Sequence, residues 1–181
     1  DVTILIFQYK AETTEDDARD AIQDILQVVT EGQPETAKIV LEHLMEIANH
    51  ATGEPDFMLK MLNNMFEYPQ FLSKEGMQFT NPLLQNFEQI VLLLGSFLQS
   101  ESTAASQKAV QTLANYIEKL DKCFPEMIDQ SKEKLVGMML QLVNDSREAN
   151  KVIYVRFLEV AVEMAVRSER LCQEIARPVL S

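Results

Sequence analysis

The densest apolar stretch of the chain is Leu83–Leu98, and it predicts the central helix of the fold. Asn81 followed by Pro82 is a typical helix start, because an asparagine side chain accepts a backbone N–H and proline suits the first helical turn. The run Ile90–Leu94 advances about 100° per residue on a helix, so its side chains point to all sides. We therefore expect a buried spine, covered by helices on both flanks and too short and too polar to cross a bilayer.

Six other segments repeat apolar residues at three- and four-residue spacing, which is typical of helices that bury one face. Their predicted starts lie near Thr14, Pro34, Pro55, Ser102 or Thr103, Pro125 and Asp145. In the last segment, the inward face is expected to carry Val152, Ile153, Phe157, Leu158, Ala161, Val162 and Ala165. This helix either continues to Ala176 or restarts at Ser168, and Pro178 is expected to end it.

Two stretches lack a clear helical period. Residues 1–13 begin with a β-branched, apolar run and are predicted to form a short strand or the remnant of a helix whose start was cut away. Residues 67–82 are too apolar for a free linker, so we expect a loop or single turn that packs onto the body. The predicted organisation is thus this N-terminal remnant, followed by a single all-helical, repeat-like domain over residues 14–181. The chain looks like a piece of a longer polypeptide.

Breaks in the helical pattern recur at repeat-like intervals. The breaks at Pro82 and Pro125 lie about 43 residues apart, and a helix pair follows each. The segments Leu41–Thr52 (LEHLMEIANHAT) and Phe157–Ile175 (FLEVAVEMAVRSERLCQEI) resemble the long inner helix of an armadillo repeat. This resemblance to armadillo and HEAT repeats covers roughly residues 14–177. It implies an all-α fold in which antiparallel helix pairs form a right-handed stack, a solenoid; the alternative is a compact helical bundle.

Charge is distributed unevenly along the chain. The whole formal net charge of −12 resides in residues 1–101, whereas residues 102–181 hold equal numbers of acidic and basic side chains. This asymmetry disfavours nonspecific nucleic-acid binding by the acidic N-terminal half and is compatible with a basic partner. The alternative interpretation is that the acidic residues only keep a helical surface soluble.

The residues that usually carry chemistry do not form a recognisable site. His43 and His50 are seven residues apart, whereas metal-binding pairs on helices usually sit four apart. Ser131–Lys134 matches the S-x-x-K pattern of penicillin-recognising enzymes without their companion motifs. Cys123 and Cys172 make neither a disulfide framework nor metal-ligand spacing. We therefore expect no catalytic, cofactor or metal site, and a protein that is not an enzyme.

One polar stripe stands out as a candidate protein-binding site. It consists of Lys108, Gln111, Asn115, Lys119 and Lys122, which follow three-and-four spacing along one helix. In armadillo proteins, asparagines on the inner helices hold the backbone of an extended peptide, because an amide both donates and accepts hydrogen bonds. The resemblance therefore implies that Asn115 could hold an extended or acidic segment. The alternative is an ordinary solvated face.

The sequence thus predicts a non-enzymatic protein–protein interaction module, a scaffold or adaptor segment of a larger intracellular protein. Its partner would be a protein or an extended peptide, with no membrane contact and in a cytoplasmic or nuclear setting. Two alternatives stay open: a helical domain with a small-ligand pocket between helices, and a purely architectural spacer. The sequence assigns no oligomeric state.

Overall fold

In a computed structural model, the residues described are 55–67, 71–72 and 81–181, together with the isolated positions 24, 39 and 42. The predicted N-terminal remnant and both histidines lie outside the described residues, as do the helices predicted from Thr14 and Pro34 apart from positions 24, 39 and 42. Within the described part of the chain, every regular element is a helix and no strand occurs. The prediction of an all-α fold is confirmed at this level.

The chain divides into two compact units, residues 1–93 and residues 94–181, and the boundary falls inside a helix. The single domain predicted over residues 14–181 stays a prediction. The described elements are α1 (Pro55–Phe66), α2 (Pro82–Gln85), α3 (Phe87–Leu98), α4 (Thr103–Cys123), α5 (Pro125–Ala149), α6 (Lys151–Arg167), α7 (Glu169–Leu171), a π-helical turn (Cys172–Ala176) and α8 (Arg177–Leu180).

The described core of the first unit is built around α1 and Phe71. The buried face of α1 carries Met58, Leu59, Met61, Leu62, Met65 and Phe66. Phe71 belongs to the stretch predicted as a loop packed onto the body, and its side chain is fully buried. Asn81 joins this core to the next helix: its side chain accepts from the Leu83 backbone N–H at 2.9 Å and donates to the Phe71 carbonyl at 2.8 Å. The predicted helix start at Asn81 and Pro82 is confirmed.

The predicted spine is divided into two helices and is not covered on all sides. A turn at Asn86 separates α2 from α3, where the Asn86 side chain donates to the Pro82 carbonyl at 3.0 Å. Such local bonds from asparagine compete with the helical hydrogen bonds of the backbone. Within α3, Leu93 is 8% exposed but Leu92 is 54% exposed. The expectation of a fully covered helix is therefore wrong at Leu92, where an apolar side chain reaches solvent.

Local capping sets the helix boundaries of the second unit. Ser102 caps α4, Pro125 occupies the first turn of α5, and Asn150 caps α6, with its side chain accepting from two backbone N–H groups. The starts predicted at Ser102 and Pro125 are confirmed. The start predicted at Asp145 is wrong, because α5 continues through Asp145 to Ala149 before Asn150 takes the capping position.

The C-terminal segment restarts at Ser168, whose side chain accepts from the Leu171 backbone N–H. Of the two alternatives drawn from the sequence, the restart is the correct one. Pro178 does not end the helix as predicted, because it lies in the first turn of α8, where its missing N–H costs no helical bond. The intervening Cys172–Ala176 turn is π-helical.

In the second unit, α4 and α6 run in the same direction. Val110, in the first half of α4, shares a groove with Val155 of α6. Farther along both helices, Glu118 pairs with Arg167. Residue numbers therefore increase together along the two helices.

The long helix α5 runs the opposite way, between α4 and α6 in sequence. Near its start, Asp129 pairs with Arg170, which follows α6. Near its end, Ser146 lines a recess with Ile153, at the beginning of α6. The three helices contact one another pairwise and share a core in which Tyr116 is fully buried. This burial raises the pKa of the Tyr116 phenol well above its usual value.

Candidate protein-binding surface

The most distinctive surface of the second unit is a row of exposed valines on α6. Val152, Val155, Val162 and Val166 are 65%, 47%, 49% and 80% exposed. Their spacing, with Glu159 between the second and third, places all five side chains on one helical face. We call Val152, Val155, Glu159, Val162 and Val166 the α6 row. Most of the large apolar side chains exposed in the described part of the chain belong to it.

This row lies opposite the buried face of the same helix. The residues of α6 that enter the core are Phe157, Val160, Ala161 and Met164. The sequence predicts Val152 and Val162 on the inward face, and that prediction is wrong for both. Because α6 is apolar on two faces, its own pattern does not select the buried one.

A groove of about 490 Å³ runs beside the row, between α4 and α6. Its walls are Gln107, Val110, Gln111, Val155, Arg156, Leu158, Glu159, Val162 and Glu163. A second recess of about 360 Å³ continues toward the start of α6 and is bounded by Lys151, Val152, Val155, Arg156 and Glu159. The two recesses share Val155, Arg156 and Glu159, so they adjoin along the helix.

Arg156 and Glu159 supply the charge at the centre of this surface. Nη1 of Arg156 donates to Oε2 of Glu159 at 2.7 Å. The Arg156 side chain is 12% exposed and that of Glu159 is 43% exposed, so the arginine contacts the carboxylate from its buried side. Among the described residues, none accepts a hydrogen bond from the buried Nε of Arg156. The Glu159 carboxylate is therefore exposed to solvent while Arg156 holds one of its oxygens in place.

Arg167 ties the end of α6 to α4 through two hydrogen bonds. Its Nη1 donates to Oε2 of Glu118 and its Nη2 to Oε1 of Gln111, both at 2.9 Å. Glu118 also accepts from the Lys122 ammonium, one turn farther along α4. Burial raises the pKa of the Glu118 carboxyl, but the hydrogen bonds from Lys122 and Arg167 outweigh it, and the net pKa is lowered. This cluster fixes α6, and hence the α6 row, relative to α4.

Ion pairs also hold the segment that follows α6. Arg170 donates to Asp121 of α4 and to Asp129 of α5, each at 2.5 Å. Lys132 of α5 pairs with Glu174 at 2.5 Å, and the hydrogen bond to this carboxylate is the main cause of a raised Lys132 pKa. Several basic side chains of this half of the chain are thus used within the fold.

The predicted polar stripe lies on α4, and its five residues have different surroundings. Gln111 and Lys122 are exposed, but the first accepts from Arg167 and the second pairs with Glu118. Lys108, Asn115 and Lys119 are half-buried, and each has an interaction partner. Only Gln111 borders the groove beside the α6 row. The role of the stripe in peptide binding stays a prediction.

Three further features concern chemistry and environment. Among the described residues, no group of three histidine, cysteine or acidic side chains is arranged to hold a metal ion. Cys123 and Cys172 are both free thiols and half-buried. None of the described helices is sufficiently long and apolar to cross a bilayer.

The α6 row was not predicted from the sequence, although the sequence contains a signal for it. The spacing from Val152 to Val166 is as regular as that of the buried face. Its β-branched composition and the absence of larger side chains are the features that distinguish it. Glu159 within an otherwise apolar row is the clearest sign that this face meets water.

No protein-family model matches the chain, and no curated protein matches it. Inferences about function therefore depend on the geometry of the described residues.

Proposed function

We propose that the chain is a non-enzymatic protein–protein interaction module, a scaffold or adaptor segment of a larger intracellular protein. The observation that carries this proposal is the α6 row, four exposed valines on one rigid helical face. Contiguous apolar surface with a polar rim is typical of sites that bind another protein, because its burial on binding is favourable. The groove between α4 and α6 adds depth to that surface.

The fixed position of the row supports the same proposal. Arg167 bonds to Gln111 and Glu118, and Arg170 bonds to Asp121 and Asp129, so several charged contacts hold α6 and the segment after it. A surface that is already ordered loses less conformational entropy on binding. The arrangement therefore favours recognition by a preformed face.

We further propose that the helices of the second unit belong to an armadillo- or HEAT-like stack. Two parallel helices, α4 and α6, with the antiparallel α5 connecting them, are what successive helix pairs of a stack provide. A closed helical bundle has the same local order and is the alternative. The free thiols Cys123 and Cys172 fit a reducing, intracellular compartment.

Capture from cell extract tests the proposed function, with the full chain as bait. We expect a protein retained by the wild type to be lost with Val155→Asp or Val162→Asp, because each variant places a charge in the apolar contact. Leu180→Asp is the matched control, since Leu180 is a similarly exposed apolar residue of the same unit outside the row. Equal capture by all three variants contradicts the proposal.

The same assay tests the predicted stripe on α4. Asn115→Ala is expected to weaken capture by about fivefold, the size of one net hydrogen bond. Lys119→Glu is expected to weaken it more at low than at high salt, because salt screens the charge–charge part of the contact. If both variants capture as well as the wild type at both ionic strengths, the stripe is a solvated face. A thermal-shift screen of metabolites tests the small-ligand alternative.

A further inference from the structure

We propose that the α6 row binds one amphipathic helix of a partner protein, and that this helix places a lysine or arginine against Glu159. The inference rests on the proposed function and specifies its partner. It is drawn from the spacing of the row, from the outward carboxylate at its centre, and from the charges beside it.

The row has the geometry of a helix-docking seam. Its five positions alternate steps of three and four residues, the a/d pattern by which two helices pack side by side. From Val152 to Val166 it extends about 21 Å along the helix axis, at 1.5 Å per residue. The valines are exposed and the groove toward α4 lies alongside them, so a helix laid on the row also covers the wall formed by Val110. An extended peptide would not match this four-turn repeat.

Glu159 is the one polar residue in the row, and it occupies the central position. Its Oε2 accepts from Nη1 of Arg156, and its side chain is 43% exposed. Glu163 adds a second carboxylate one turn away, on the groove side. Arg156 donates to one oxygen of Glu159, but a helix that covers the row must also desolvate the exposed part of this carboxylate. That is costly unless the helix supplies a further cation.

A second copy of this chain is a poor occupant for the same reason. Glu159 lies midway between Val152 and Val166, so two copies packed antiparallel through the row bring Glu159 against Glu159. Packing them parallel and in register does the same. Two carboxylates in an apolar seam repel each other, whereas a basic side chain at the facing position forms an ion pair. The central glutamate thus selects a heterologous, basic helix over self-association.

An anionic membrane surface is also disfavoured. Helices that lie on membranes carry lysine and arginine around a face rich in aromatic and leucine side chains. The apolar residues of the α6 row are all valines, and the acidic side chains Glu159 and Glu163 lie within the row and beside it. Repulsion from anionic headgroups opposes binding there.

The test uses three synthetic helical peptides, each of three heptads with leucine at the a and d positions. They differ only at the central a position, which is lysine, glutamate or leucine. Their affinities for the full-length chain and its variants are measured by fluorescence anisotropy. The wild type is expected to bind the lysine peptide at least about tenfold more tightly than the glutamate peptide. Glu159→Lys is expected to reverse this preference, and Glu133→Lys, an exposed charge reversal on α5, is expected to leave it unchanged.

A second measurement addresses self-association. In sedimentation, the wild type is expected to form no dimer through the α6 row. A dimer through the row would be recognised because Val162→Asp dissociates it. Glu159→Leu completes the apolar row and is expected to create such a dimer, which Val162→Asp then removes. This gain of association reports on the seam even if the charge-reversed variant folds poorly.

Each outcome supports the inference or overturns it. Equal binding of the lysine and glutamate peptides, a wild-type dimer through the row, or cosedimentation with vesicles of phosphatidylserine and phosphatidylcholine that Val162→Asp abolishes would overturn it. If Val155→Asp abolishes capture of a cellular protein but Glu159→Lys does not, the proposed function stands and only the basic helix is wrong. If neither variant affects capture, the proposed function itself fails.

Discussion

Asn81 shows how one side chain supports both a helix and the core beneath it. Its Oδ1 accepts from the Leu83 N–H in the first turn of α2, and its Nδ2 donates to the buried carbonyl of Phe71. Asn81 is itself buried, so both bonds are shielded from water. Unpaired polar groups are costly in such a place. The capping role is visible in the sequence, but the bond to Phe71, ten residues earlier, follows only from the fold.

Replacing Asn81 tests these two roles separately. Asn81→Ala removes both bonds and is expected to lower the free energy of unfolding by about 2–3 kcal/mol, from a lost cap and an unsatisfied carbonyl. Asn81→Ser keeps the cap but cannot reach Phe71, so a loss of about 1–2 kcal/mol is expected. Urea titration followed by helical circular dichroism measures both. Equal losses in the two variants would contradict a capping role.

At the scale of the element, an apolar sequence does not determine which faces of a helix are covered. The apolar run of α3 predicted burial on all sides, yet Leu92 is largely exposed and Leu93 is buried. On α6, Val162 is exposed and Val160 is buried, although both are valines in one helix. In each case neighbouring residues of the same type have opposite surroundings. The packing of other helices decides which one is covered.

Leu92 and Leu93 offer a matched pair of substitutions. Leu93→Asp buries a charge among apolar groups and is expected to cost at least about 3 kcal/mol of stability. Leu92→Asp exchanges one exposed side chain for another and is expected to change stability by less than about 1 kcal/mol. Thermal and urea unfolding of the two variants measure the difference. Similar losses at both positions would show that Leu92 is covered in solution.

At the scale of the whole molecule, charge is distributed unevenly along the chain. The net charge of −12 belongs to residues 1–101, while the unit of residues 94–181 uses its basic residues in ion pairs such as Arg170 with Asp121. A basic partner is therefore compatible with more than one part of the chain.

Hydrogen exchange distinguishes a repeat stack from a closed bundle. In a stack, each repeat contacts only its neighbours, so local destabilisation spreads over a short distance. Met164→Ala leaves a cavity in the core of the second unit and is expected to cost 2–5 kcal/mol there. We expect amides of α4, α5 and α6 to exchange faster while those of α1 keep their protection. Met65→Ala, at a similarly buried position in α1, is the reciprocal variant, and uniform loss of protection in either variant would favour the bundle.

Within the described residues, the sequence by itself determined the helical class and the helix starts at Pro55, Pro82, Ser102 and Pro125, because these starts depend on contacts within one turn. Ser102, Pro125 and Asn81 cap or begin helices through groups at most three residues away, and such spacing is visible in the chain. Asp145 shows the limit of this reasoning, since an equally good capping pattern lies inside α5. In the structure, α5 continues past Asp145 to Ala149, and the next helix begins after Asn150.

Only the tertiary structure decided which apolar face of α6 is buried and which forms a candidate surface. Val152 and Val162 fit a helical face as well as Phe157 and Ala161 do, so periodicity alone does not distinguish the two faces. The choice depends on the helices that pack against α6, which turn Phe157 and Ala161 into the core and leave the valines outside. Contacts among segments distant in sequence set this orientation, and these contacts cannot be read from a local pattern of residues.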